Sequence, residues 1–169
     1  GLSRHPELVG DSARILRSAG ARVESLVTST LDELAFVLAS AERRVVLLGG
    51  DGSLHAAANA PGFKPELALI PGGKANNVAR SLGIPLEVEA AARLAVEGSA
   101  HPIDAIEAKS ASGRYLAVEG VSVGFHAQAR SQYTAKNSAD TVAGIRAGVG
   151  ALARFEPMTM AVGLDGSCE

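Results

Sequence analysis

Val45-Val46-Leu47-Leu48 runs straight into Gly49-Gly50-Asp51-Gly52-Ser53, and Leu54-His55-Ala56-Ala57-Ala58-Asn59-Ala60 follows. A short aliphatic run that ends in glycines and continues as alanine-rich sequence predicts a buried parallel strand, a tight turn and a helix start. Glycines let the backbone approach a ligand closely, and the exposed N–H groups of a helix start favour anions. Asp51 adds a hard oxygen ligand of the kind Mg²⁺ takes when it accompanies phosphates. The stretch therefore reads as a nucleotide-phosphate site. The plainer reading is an ordinary strand-to-helix turn in which Asp51 caps the helix.

The flanking sequence repeats this alternation. Leu8 to Ala19 has helical spacing with Gly20 as a stop, Arg22 to Val27 alternates like a strand, and Leu31 to Ser40 is a second helix. After the glycine turn, Leu67-Ala68-Leu69-Ile70 reads as a strand, and Asn76–Leu82 and Leu86–Val96 as helices parted by Gly83-Ile84-Pro85. Strands alternating with helices imply βαβ units and a parallel sheet. Residues 1–101 are thus expected to form a Rossmann-like, three-layer α/β nucleotide-binding domain.

The rhythm changes after Gly98. Ile103–Ala108 and Tyr115–Val123 read as an antiparallel hairpin turning at Ser110–Gly113, which sets a domain boundary near His101-Pro102. Residues 102–169 are expected to begin a β-rich, sandwich-like second domain. Val142, Ile145, Val149 and Leu152 give the apolar stripe of a helix starting near Ser138. Met158–Leu164 reads as a strand whose partner does not follow the Asp165-Gly166 turn, so this domain is expected to be incomplete. The start without Met, at the approach to a helix, likewise suggests a missing upstream piece.

Composition narrows the function classes. The 169 residues, 47% hydrophobic, suffice for one sizeable core, while aromatics at 4% and no Trp make that core aliphatic and alanine-packed. A formal charge of −2 argues against a dedicated nucleic-acid partner. The single cysteine, Cys168, permits no intrachain disulfide and is expected to be inert; with four scattered His it gives no zinc spacing. No apolar run approaches the roughly 18 residues of a membrane span, and no signal-peptide pattern opens the chain. A cytoplasmic location is expected.

A second loop strengthens the first. Pro71-Gly72-Gly73-Lys74-Ala75-Asn76-Asn77-Val78-Ala79-Arg80 also follows an apolar strand and opens a helix. Two such loops at the carboxyl ends of adjacent strands can face one another across a crevice and hold one nucleotide, with Asp51 pointing into it. Asn side chains suit base or ribose edges because each offers a donor and an acceptor.

The Gly-Gly-Asp-Gly-Ser block followed by Pro-Gly-Gly-Lys-Ala-Asn-Asn-Val-Ala-Arg resembles the catalytic domain of the diacylglycerol kinase family. That family includes bacterial lipid kinases and is related to sphingosine kinases and, more distantly, NAD kinases. Gly120-Val121-Ser122-Val123-Gly124-Phe125-His126-Ala127 is similar to the segment where such kinases enter their second domain. The resemblance implies ATP and Mg²⁺ as cofactors and transfer of the γ-phosphate to a hydroxyl of a diacylglycerol-like lipid. It further implies a peripheral position at the membrane surface where that lipid lies, and leaves a homodimer open.

The implied roles follow position by position. Gly49, Gly50 and Gly52 bring backbone N–H groups to the phosphates, and Asp51 acts at the phosphate–metal end as catalytic and metal-binding residue. Ser53 keeps the hydroxyl of the usual Thr. Gly73, Lys74, Asn76 and Asn77 line the nucleotide from the second loop. Lys74 stands where the family usually has Thr or Ser, and Asn77 where many members have Asp. The family's opening Asn-Pro strand, its later glycine-rich segment and its later acidic residues, the general base among them, have no counterpart in residues 1–169.

Plainer readings apply elsewhere. Lys74 also reads as a solvated loop lysine, Arg80 as a surface or helix-terminal contact, and His55 and His126 as packing or surface residues. Arg130, Lys136, Arg146 and Arg154, opposed by Asp140 and Glu156, read first as a solvated helix face. The sharper reading is a membrane-facing strip worth about 1 kcal/mol per residue near anionic lipid. Two functional alternatives stand beside the lipid kinase: a soluble-substrate kinase of the NAD kinase or phosphofructokinase sort, and a nucleotide-binding module without catalysis.

Overall fold

A computed structural model describes residues 6–62, 66–111, 113–127, 145, 149–150, 152–155, 157, 163–164 and 167–168. Two compact units divide at Gly120–Val121. In the first, helix α1 spans Pro6–Ser18 and α2 Leu31–Ala39; strand β1 (Val45–Gly49) leads into α3 (Asp51–Ala58), and β2 (Leu67–Pro71) into α4 (Asn77–Ser81). Helix α5 (Val88–Glu97) and the strands β3 (Ile106–Ser110) and β4 (Gly113–Ala117) complete it.

Local chemistry sets the helix ends. Gly20 adopts φ +92° past the end of α1. This lets its N–H reach the Arg17 carbonyl at 3.0 Å and the Ala21 N–H reach the Leu16 carbonyl at 3.1 Å, a Schellman closure. Helix α2 opens on a capping box, with the Glu33 N–H donating to Thr30 Oγ1 at 3.1 Å and the Thr30 N–H to Glu33 Oε2 at 3.3 Å.

Strands β1 and β2 pair in parallel, Val45 opposite Leu67 through Gly49 opposite Pro71. Side chains alternate along a strand, so each face of this pair packs its own cluster. Leu47 and Leu69, with Val45 and Leu67 beside them, meet Leu38, Leu54 and Ala57 from α2 and α3. Ile70, with Val46 and Leu48, meets Leu16 of α1 and Ala91, Ala92 and Ala95 of α5. The result is a mixed α/β unit with helices on both faces of a parallel sheet. Arg44 fastens its lower edge, donating to Glu66 Oε2 at 2.9 and 2.7 Å and to the Ala95 carbonyl at 3.0 Å.

One expected element is missing. Residues 21–28 form no strand. A groove of about 860 Å³ is lined by that segment, by residues 43–48 and by side chains of α1 and α2. Alternation alone therefore mislabelled Arg22–Val27.

Strands β3 and β4 form the expected antiparallel hairpin, Ile106 opposite Ala117 and Ser110 opposite Gly113, but with shifted bounds: residues 103–105 and 118–123, expected within its strands, are not strand. The compact unit includes this hairpin and ends later than the boundary expected near His101-Pro102. Its anchor is Asn59, the residue closing α3. The Asn59 Oδ1 accepts from the Leu116 N–H at 2.8 Å, and its Nδ2 donates to the Leu116 carbonyl at 2.8 Å. Asn59→Ala leaves both half-buried Leu116 groups unpaired and is expected to cost roughly 1–3 kcal/mol. Urea unfolding measures this, and a loss within a few tenths of a kcal/mol would show that the hairpin holds without the amide.

In the second unit Phe125 and Phe155 meet edge to face, ring centroids 5.7 Å apart. Strand β5 (Gly163–Leu164) pairs antiparallel with β6 (Ser167–Cys168). Of the strand expected over Met158–Leu164, residues 158–162 lie outside the described residues, as does the expected Asp165-Gly166 turn; the described end, Gly163–Leu164, has the partner that was expected to be missing. Ile145, Val149 and Leu152 stay 63–66% exposed. Val142, Ser138, Arg130, Lys136, Arg146, Asp140 and Glu156 lie outside the described residues, whereas Arg154 is exposed.

Candidate functional site

The carboxyl ends of β1 and β2 bring the two glycine loops together. The β-ladder runs past the strand ends, where the Gly72 N–H donates to the Gly49 carbonyl at 2.8 Å. In a parallel ladder alternate residues bond to a given neighbour. Pro71, one residue before Gly72, thus has no ladder N–H to lose.

Gly50 and Gly73 then meet backbone to backbone. A Cβ on Gly50 would lie 2.9 Å from Gly73 Cα, and one on Gly73 would lie 2.7 Å from Gly50 Cα and 2.8 Å from Asn76 Oδ1. Gly50 has φ −109°, open to any residue, so contact and not backbone conformation demands glycine here. Gly52 differs: nothing lies within 4 Å of a Cβ placed on it.

The second loop closes on itself. Asn76 is left-handed, φ 51°, which Asn tolerates better than most residues. Its Oδ1 accepts from the Gly73 N–H at 2.9 Å and its Nδ2 donates to the Gly73 carbonyl at 2.8 Å. The Arg80 guanidinium donates to the Ala75 carbonyl at 3.1 Å and fastens the same loop. With the Asn76 amide spent inside the turn, α4 starts without a cap from its own N-cap residue.

Asp51 supplies that cap from the first loop. Its Oδ2 accepts from the Asn77 N–H and its Oδ1 from the Val78 N–H, each at 3.1 Å. A carboxylate held by the leading N–H groups of a helix is favourable there. Asp51 does cap a helix, but α4 and not the α3 it begins. Its carboxylate is therefore committed to the facing loop and is not free, as was expected, to point at a ligand. Each oxygen retains acceptor capacity beyond its one hydrogen bond.

Helix α3 carries the open donors. Gly50, its N-cap, makes no side-chain cap bond. Its carbonyl accepts from the Ser53 and Leu54 N–H groups at 3.0 and 3.1 Å, so Asp51 and Gly52 present the leading N–H groups of that helix outward. Lys74 is exposed on the second loop, His55 on the outer side of α3, and His126 in the second unit.

One site residue gave no signal in the sequence. Glu119, just beyond β4, accepts from Asn77 Nδ2 at 2.6 Å. Nothing local marks Glu119, because its partner lies far away in the chain and the two meet only once the hairpin docks. Among the described residues no group of three or more His, Cys, Asp and Glu could hold a metal ion. Among them, too, no helix is long and apolar enough to cross a membrane.

Two parallel strands whose ends converge in paired glycine loops, with one aspartate capping across from the first loop to the second, define a mixed α/β protein built on a parallel sheet. The model of the diacylglycerol kinase catalytic domain matches residues 1–108, and the chain belongs to that family. Among relatives, a probable YegS-like lipid kinase of Cronobacter sakazakii is 34% identical over 113 residues, covering 62% of this chain and 38% of the relative. One from Shewanella frigidimarina is 35% identical over 112 residues, covering 60% and 36%. One from Xanthomonas campestris pv. campestris is 29% identical over 172 residues, covering 94% and 56%. The chain thus spans between about a third and somewhat over half of these relatives. No solved structure matches it.

Proposed function

We propose that this chain is the nucleotide-binding part of a lipid kinase, which transfers the γ-phosphate of ATP to a hydroxyl of a diacylglycerol-like lipid at a membrane surface. The observation that carries this reading is the contact of Gly50 with Gly73 beside the outward N–H groups of Asp51 and Gly52. Phosphoryl transfer asks mainly for positioning and for neutralisation of phosphate charge. Backbone donors fixed by a jammed glycine pair supply both, because they need no reorganisation when charge shifts. Ser53 adds a hydroxyl one residue further along α3. Asn77 and Lys74 flank the second loop, where the nucleotide's remaining groups would lie.

The donor set fits a metal carried in by phosphates better than a metal caged by protein. Mg²⁺ commonly takes one or two carboxylates, keeps several waters and shares phosphate oxygens. Asp51, with acceptor capacity left on each oxygen, would hold it. When bound, the ion would neutralise charge on the transferring phosphoryl group. The Rossmann-like relation of the first unit to a β-rich second domain is part of this same reading.

A binding module without catalysis is favoured by one observation, the commitment of the Asp51 carboxylate to α4. Incubating the chain with labelled ATP and Mg²⁺ separates the readings. Label on diacylglycerol-containing vesicles, with none on NAD or fructose 6-phosphate, supports the lipid kinase. Label on a soluble acceptor instead overturns it. ATP bound but transferred to nothing, both by this chain and by a longer form that carries the later acidic residues, favours the module, and no ATP binding at all removes both.

A further inference from the structure

We propose that Glu119 is a positioning residue for the second glycine loop, acting through Asn77, and that this carboxylate dictates an uncharged amide at position 77. The functional half of the proposal rests on the nucleotide-site reading above; the pairing itself does not.

The hairpin is tied to both glycine loops. Through Asn59 it is held on the last turn of α3, the helix that begins at the first loop. Through Glu119 it is held on Asn77, the first residue of α4, which the second loop opens. Asn77 is also the residue whose N–H caps onto Asp51. Its backbone therefore answers to the first loop and its side chain to the hairpin. Glu119 sets the side-chain half of that clamp.

Charge decides what position 77 can hold. An amide NH₂ at 2.6 Å from a carboxylate oxygen makes a charge-assisted hydrogen bond. A carboxylate at 77 would instead face Glu119 at the same distance, close to the Asp51 carboxylate that its own N–H holds. Asp104 lines the same small recess as Glu119, so that corner is already negative. Relief would come from protonating one acid or swinging the side chain away, and the latter frees the loop from the hairpin. Residue 77 and residue 119 are matched in charge rather than chosen independently.

A double-mutant cycle tests this with Asn77→Asp, Glu119→Gln and the pair N77D/E119Q, in which donor and acceptor trade places. Two readouts are taken on the whole chain: the urea unfolding midpoint without ligand, and ATP affinity by calorimetry. N77D is expected to weaken ATP binding about tenfold and to lower the midpoint, consistent with coupling energies between touching groups. E119Q keeps an acceptor oxygen and is expected to lose less. N77D/E119Q is expected to recover most of both losses, which a merely disruptive change at 77 would not do. Additive losses in the cycle, or an N77D variant as stable and as tight-binding as the parent, would overturn the proposal. Coupling in the unfolding cycle with no ATP bound by any form would keep the charge matching and refute both the loop-positioning role and the nucleotide reading. Coupling in affinity alone would support the positioning role and refute a purely structural one.

Discussion

Gly73→Ala is expected to be strongly destabilising. Its new carbon would sit 2.7 Å from Gly50 Cα and 2.8 Å from Asn76 Oδ1. Neither neighbour is the free end of a flexible side chain. Gly50 Cα is backbone at the mouth of β1, and Asn76 is pinned by its bonds to Gly73 itself. The loops must part, and with them the Asp51 bonds that cross the gap. Overpacking a tight contact costs typically 1–3 kcal/mol and sometimes more, and the lost cap adds to it. An expected loss on the order of 3 kcal/mol corresponds to a fall in Tm of roughly 10 °C for a domain of this size. Thermal unfolding followed by circular dichroism reads it. A Tm within about 2 °C of the parent would mean the loops are not jammed together.

Asp51→Ala is expected to loosen the same junction from the other side. The Asn77 and Val78 N–H groups lose their acceptor, and Asn76 has no spare oxygen to replace it. Losing a helix cap costs about 0.5–2 kcal/mol, and the half-buried Val78 N–H puts this case toward the upper end. Asp51→Asn keeps one acceptor and is expected to lose about half as much. Urea unfolding ranks the three proteins. Mg²⁺-ATP affinity separates the two duties of the residue: equal affinity in D51A and the parent would confine Asp51 to the cap.

The legible parts of the chain were those where a local pattern and a tertiary demand agree. Val45–Gly49 and Leu67–Pro71 are short aliphatic runs ended by glycine, and burial on both faces is what such runs specify. The hairpin at Ser110–Gly113 was equally plain. Arg22–Val27 carries an alternating pattern too, but a strand is made by its partner's hydrogen bonds, which no sequence window contains. The same limit governs the site. The glycines announce two close approaches without saying that each is to the other. Asn76 looks like a residue for reading a nucleotide, yet its φ of 51° places its amide over Gly73. Asp51 was expected to face a ligand and instead also staples the loops. Glu119 carried no local signal, because its significance is a distance across the fold.

The most direct measurement is a calorimetric titration of ATP into the chain and into Gly52→Ala. Among the described residues, nothing beyond its chain neighbours and its own helix backbone lies within 4 Å of a Cβ at position 52, and Cα–Cβ bonds tilt toward a helix N-terminus. The methyl would therefore enter the space in front of the α3 donors without disturbing packing. Replacing a helical glycine by alanine should leave stability equal or raise it by about 0.4–1 kcal/mol. The expected result is ATP binding by the parent and a loss of tenfold or more in a variant at least as stable, since its methyl takes the place of a phosphate. Equal affinity in the two proteins, or no binding by the parent, would contradict a phosphate seat between these loops.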